Sequence, residues 1–206
     1  MNQTFLYLLS ELLSFIPVYL FGGVILYLGY RIAGQKGRGL HILGITIFCC
    51  VLELIFCITG IPDVTSVQFQ IQGNINLTPF AEGMSGLYQY IANIIMFLPV
   101  GIFLPLLWQQ FIRPLYTVGV GFMLSLGIEL IQLFTYRATD IDDLLMNSLG
   151  TVAGYLLFCI LYRTFTALTK EFQISWTFYR LAGFEYLFCI FTTLLLHFFA
   201  VPNLTS

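Results

Sequence analysis

Six apolar runs, each long enough to cross a bilayer, constrain this chain more than anything else in it. They cover 5–30, 40–61, 87–108, 115–136, 143–162 and 183–201. A spanning helix needs about 20 mostly apolar residues, because about 30 Å of hydrocarbon is crossed at about 1.5 Å per residue. Only 9% of the residues are charged, where a soluble domain has about a quarter. Lipid is therefore the main solvent. The expected fold is all-α: a polytopic transmembrane helix bundle of about six spans, forming one membrane domain over 1–206. The first run lacks a basic leader and a small-residue cleavage site, so it is expected to be a retained helix. The cysteines Cys49, Cys50, Cys57, Cys159 and Cys189 all lie inside apolar runs, where thiols behave as small hydrophobes.

Orientation follows from Lys and Arg in the connections. Arg31, Lys36 and Arg38 fall between runs one and two, Arg113 between three and four, and Arg163, Lys170 and Arg180 between five and six. With six spans these lie on one side, which predicts a cytoplasmic face there and both termini outside. Arg137 is the exception. The loop after the second run, 62–86, is then extracytoplasmic. Within it Val67, Phe69 and Ile71 alternate with Gln68, Gln70 and Gln72 before a Gly73-Asn74 step. That alternation predicts a short β-hairpin or extended lid. The stretch 164–182 places Phe165, Leu168, Phe172, Trp176 and Tyr179 near helical spacing, which predicts an interfacial segment on the cytoplasmic leaflet. The run at 183–201 adds a C-terminal span.

Ionisable groups inside a membrane are costly, so each needs an account. Glu129 and Gln132 share one face of the fourth helix. Asp143, Asn147, Gly150 and Gly154 share a face of the fifth, and Gly150 and Gly154 permit close helix packing. Counting inward at 1.5 Å per residue puts Asn93, Glu129, Gln132 and Asn147 roughly 6–10 Å below the outer surface. Arg137, Asp140, Asp142 and Asp143 cap that layer. Glu11 and Glu53 fall in the same slab. Each is expected to be a solitary, hydrogen-bonded neutral carboxyl. His197 is expected to be packed rather than a ligand, since the only other histidine is the cytoplasmic His41.

The cluster admits two accounts. In one it is structural: Arg137 pairs with Asp140 or Asp142, one of these aspartates caps the fifth helix, and the amides bond between helices. In the other it is a site open to the outer leaflet. Arg137 would grip a phosphate or carboxylate. Asp140, Asp142 and Asp143 could hold a divalent cation, and Glu129 would serve as acid or base. No other cofactor is expected, and the bilayer, not nucleic acid, is the expected partner.

Three segments carry a family resemblance: NLTPF at 76–80, NIIMFLPVGIFLP at 93–105, and SLGIELIQLFTYRATDIDDLLMNSLGTVAGY at 125–155. They resemble the VanZ family, integral membrane proteins named for a teicoplanin-resistance accessory protein of Gram-positive bacteria. The resemblance covers about 40–162 and falls on Asn93, Pro99, Gly101, Glu129, Gln132, Arg137, Asp140, Asp142, Asp143 and Asn147. It implies a bacterial plasma-membrane protein of the cell envelope, linked to glycopeptide or lipoglycopeptide tolerance. The leading expectation is an outward-facing site that binds or modifies a lipid-linked envelope component or the antibiotic. Arg137 and Asp143 would recognise the polar head. Asn93, Gln132 and Asn147 would orient it, with Asp140 and Asp142 beside it. If the protein is an enzyme, Glu129 and Asp143 are the catalytic candidates, for hydrolysis or transfer on a lipid-linked phosphate or sugar. The alternative is a non-catalytic scaffold for cell-wall enzymes, or a transporter.

Overall fold

The structure is a computed structural model describing residues 3–32, 38–64, 75–80, 83–134, 139–174 and 185–204, with the side chains of 3–12, 14, 84 and 200–204 outside the described residues. Its helices are α1 (Gln3–Ile32), α2 (Gly39–Thr59), α3 (Leu87–Leu107), α4 (Pro114–Gln132), α5 (Ile141–Thr164), α6 (Thr166–Phe172) and α7 (Glu185–Leu204). Two short strands, β1 (Ile75–Asn76) and β2 (Thr139–Asp140), pair in parallel. The chain is an all-α polytopic bundle, as the apolar runs require, because in lipid a helix satisfies its own backbone groups. Among the described residues, α1 to α5 each contain a stretch long and apolar enough to span a membrane, and α7 carries a shorter one, Glu185–Phe199.

Helix α2 is the centre. Of its span 61% is buried, against 11% of the span in α1. Phe48, Leu52, Phe97, Val100, Leu104 and Trp108 form the core where α2 meets α3. Helix α1 lies at the edge and turns Leu20, Phe21 and Leu28 outward, as a lipid-facing helix should. Helices α3 and α5 approach backbone to backbone. A Cβ on Gly101 would strike Thr151 O, and on Gly150 and Gly154 it would strike Ile94 O and Leu98 O. The small-residue face predicted on the fifth helix is thus the contact with the third.

The described basic residues gather at one end. Arg31 ends α1, Arg38 and Arg113 precede α2 and α4, Arg163 ends α5, and Lys170 lies in α6. That end is closed by α6 and the residues after it. Ile174 makes a parallel bridge to Trp108, and Gln173 donates to Pro105 O at 2.8 Å. Phe165 and Leu168 stay exposed. Trp176, Tyr179 and the rest of 175–182 lie outside the described residues.

Two helix boundaries change at the opposite end, and a third expectation lies mostly outside the described residues. Helix α4 stops at Gln132, short of 136. Helix α5 starts at Ile141 rather than 143, because Asp140 is extended (φ −123°) and its side chain accepts from Asp142 N at 2.9 Å. That is an N-cap, with Asp142 and Asp143 favourably placed in the positive first turn. Most of the hairpin expected over 67–77 lies outside the described residues. Its described end, β1, pairs with β2 next to α5 and not within its own loop.

Candidate functional site

The site is built where NLTPF crosses the start of α5. Asn76 donates to Asp140 Oδ2 at 3.0 Å, and its own Oδ1 accepts from Thr78 N at 3.1 Å, so one amide ties the segment down and turns it. Phe80 N donates to both oxygens of Asp142 at 2.9 Å. Tyr90 on α3 donates its hydroxyl to Asp142 Oδ2 at 3.0 Å, and its ring meets Phe80 edge-on at 5.8 Å. Phe80 has φ +57°, in the left-handed region. A bulky residue there is strained, and it holds only when its surroundings fix it. Here the Asp142 carboxylate and the Tyr90 ring do so.

The acids have different partners. Asp142 is 2% exposed and accepts the bonds from Phe80 and Tyr90. Asp140 caps α5 and holds Asn76. Glu129, 4% exposed, accepts Asp140 N on Oε2 at 3.0 Å, and Thr139 donates to the Glu129 carbonyl at 3.2 Å. Asp143 is half-buried and accepts from two side-chain amides of α3, Asn93 and the exposed Gln89, the latter at 3.0 Å. Side-chain amides can turn away without breaking a helix, whereas the backbone donors on Asp142 and Asp140 cannot. Among the bonds described, those of Asp143 are thus the ones made to side-chain amides alone.

Of the residues expected to converge, Asn93, Glu129, Asp140, Asp142 and Asp143 lie in this one patch. Gln132 and Asn147 turn elsewhere. Gln132 donates to Thr59 O at 2.8 Å and ties α4 to the end of α2. Asn147 donates to Ser125 Oγ at 3.0 Å and ties α5 to α4. Arg137 lies outside the described residues. Asp140, Asp142 and Asp143 spend oxygens on separate donors, and among the described residues they do not form a group of ligand atoms close enough to share a metal.

A groove of about 380 Å³ opens between α4 and α7. Phe56 and Ile61 line it, with Ile128 and Ile131 on one wall and Ile190 and Leu194 on the other. Ile128 immediately precedes Glu129, so α4 carries the groove on one face and the Glu129 carboxylate of the patch on a neighbouring one.

Sequence reasoning missed two further clusters, one at each end of the α1–α2–α7 layer. Glu53 is not solitary: it accepts from Tyr19 at 2.9 Å, faces His197 Nδ1 at 2.8 Å, and lies 3.6 Å from Cys57 Sγ. Glu185 accepts from Tyr30 at 2.8 Å and from Trp108 Nε1 at 2.9 Å, and faces His41 Nε2 at 3.1 Å. The only available signal was a shared interval: His41 to Glu53 and Glu185 to His197 each span the same number of residues. The Glu11 side chain lies outside the described residues.

The family model described as VanZ/LLP1 matches residues 43–162, more than half the chain. The chain belongs to that family. Protein VanZ of Enterococcus faecium is 34% identical over 97 residues, which are 47% of this chain and 59% of that relative. The match thus spans less than two thirds of the relative's own length. No solved structure matches the chain. VanZ/LLP1 membership and the apolar helices make this a multi-pass membrane protein of VanZ type. The matched region runs from within α2 to near the end of α5 and contains the whole polar patch. Helices α1 and α7, with Tyr19, Glu185 and His197, lie outside it.

Proposed function

We propose that this chain is a bacterial plasma-membrane protein whose polar patch binds an amphiphilic envelope ligand at the outer leaflet, either a lipid-linked wall component or a lipoglycopeptide such as teicoplanin. The observation that carries this reading is that α4 bears both Glu129 of the patch and one wall of the apolar groove. A ligand with its polar head at the patch, where Asp143 meets Asn93 and Gln89, and its chain laid over α4 into the groove would use both. The described basic end faces the cytoplasm by the positive-inside rule, which puts the patch outside. Binding is favoured over catalysis because most of the acids hold backbone groups.

The second reading is a scaffold for wall enzymes. It is supported by the same bonds: Asp140, Asp142 and Glu129 each hold a segment of this protein in place. The two readings part at Asp143. Asp143→Asn and Asn93→Ala are to be expressed in a teicoplanin-tolerant host, with membrane levels matched. Binding predicts restored sensitivity in both. Unchanged tolerance in both removes the site and leaves the scaffold.

A further inference from the structure

The Glu53 cluster differs from ordinary helix packing in the kind of atoms it gathers. His197 Nε2 lies 3.0 Å from Ile61 O. A carbonyl oxygen only accepts, so Nε2 carries the hydrogen. Nδ1 then directs its lone pair at Glu53 Oε1, 2.8 Å away. Two acceptors at that separation need a positive charge between them, either a proton or a metal ion. Cys57 stands one turn beyond Glu53 on the same face of α2, and its thiol donates to the same oxygen at 3.6 Å. Protons can hold these contacts one by one, whereas a metal ion would take all three donor atoms at once.

We propose that Glu53, Cys57 and His197 form a binding site for a divalent cation of the Zn²⁺ class, bridging α2 and α7. Their ligand atoms all lie within 4.8 Å of one another. Tetrahedral zinc, with bonds of about 2.0–2.3 Å, needs its ligand atoms about 3–4 Å apart. Small rotamer adjustments close that gap. The donor set selects the metal: thiolate and imidazole favour zinc, whereas magnesium and calcium take oxygen ligands. Ligating histidines characteristically give their other N–H to a carbonyl or carboxylate, as His197 gives Nε2–H to Ile61 O. Tyr19 on α1 donates to Glu53 Oε2 at 2.9 Å and orients the carboxylate.

Charge balance also fits a buried site. Glu53 is 0% exposed and His197 4%. One divalent ion with one thiolate, one carboxylate and one neutral imidazole has no net charge. Loading brings in two positive charges and releases two protons, the thiol proton and the one shared by Glu53 and His197. The cluster at the other end is a contrast. Glu185 meets N–H and O–H donors from Trp108 and Tyr30, and among the described residues its carboxylate, His41 and Cys189 do not gather into a group of close ligand atoms, which suits a carboxylate held by protons.

The test uses the full chain in nanodiscs, stripped with chelator and dialysed against Zn²⁺ or Co²⁺. About one metal per chain is expected. The cobalt form should show a near-ultraviolet thiolate-to-cobalt charge-transfer band. Cys57→Ser should abolish that band, and Cys57→Ser and His197→Gln should each weaken metal affinity at least about tenfold. His41→Gln should leave both readouts intact. Thermal unfolding of the metal-free forms reports whether each variant is folded, and Cys57→Ala replaces Cys57→Ser if the latter is not. Folded wild-type protein that takes up no stoichiometric metal, or cobalt binding without a sulfur band, overturns the proposal.

Discussion

The two halves of the bundle are held together by different physics. Helices α3 and α5 meet through glycines and backbone, with Gly101, Gly150 and Gly154 leaving no room for a Cβ. Helices α1, α2 and α7 are linked by polar side chains, through the buried Glu53 with His197 and Tyr19, and the half-buried Glu185 with His41 and Tyr30. Close backbone packing is intolerant of added volume but indifferent to protonation. A polar link is the reverse. The VanZ/LLP1 match covers α3 and nearly all of α5 and, of the second half, only part of α2. The patch at the end of α3 and α5 thus rests on a rigid pair of helices, as a binding site needs, while the outer layer is free to carry something separate.

The largest expected effect breaks the rigid half. Gly154→Leu pushes a side chain into Leu98 O and should cost at least about 3 kcal/mol, seen as loss of folded protein in detergent. Gly22→Leu is the control, because nothing lies within 4 Å of a Cβ there. Next comes the polar half. Glu53→Ala strands the buried His197 and Tyr19 groups and should cost about 3 kcal/mol, measured by thermal unfolding of the metal-free protein. A milder loss should separate α1 from α7 without unfolding α3 and α5, detectable by hydrogen exchange. Asp142→Leu removes the acceptor for Phe80 N and Tyr90 and should cost about 1–3 kcal/mol, with faster proteolysis at NLTPF. The smallest effect is Asn76→Ala, about 1 kcal/mol, loosening the same segment while the helices keep their melting temperature.

Much of the fold was legible because lipid makes length and apolarity sufficient signals. The centres of α2, α3 and α5 lie where the apolar runs put them, and the glycine face of α5 is where its spacing placed it. The acids at the α4–α5 turn were also legible, since charge beside a membrane span always needs a reason. Their partners were not. Periodicity reports which residues share a face, and says nothing of which other helix that face meets. Gln132 and Asn147 had the right depth and turned to α2 and α4 instead. Glu53 looked solitary because His197 is 144 residues away along the chain. The pairing of β1 with β2 hid for the same reason, its two halves being separated by the whole of α3 and α4.

The most direct test of the account is photo-labelling by teicoplanin carrying a photoreactive group at the end of its acyl chain, with the protein in nanodiscs. Ligand held at Asp143 with its chain in the groove should label peptides around Ile131 on α4 and Leu194 on α7. That labelling should fall several-fold in Asp143→Asn and vanish when deacylated teicoplanin carries the label. Labelling spread evenly over the lipid-facing residues of α1, and unchanged by Asp143→Asn, would contradict it.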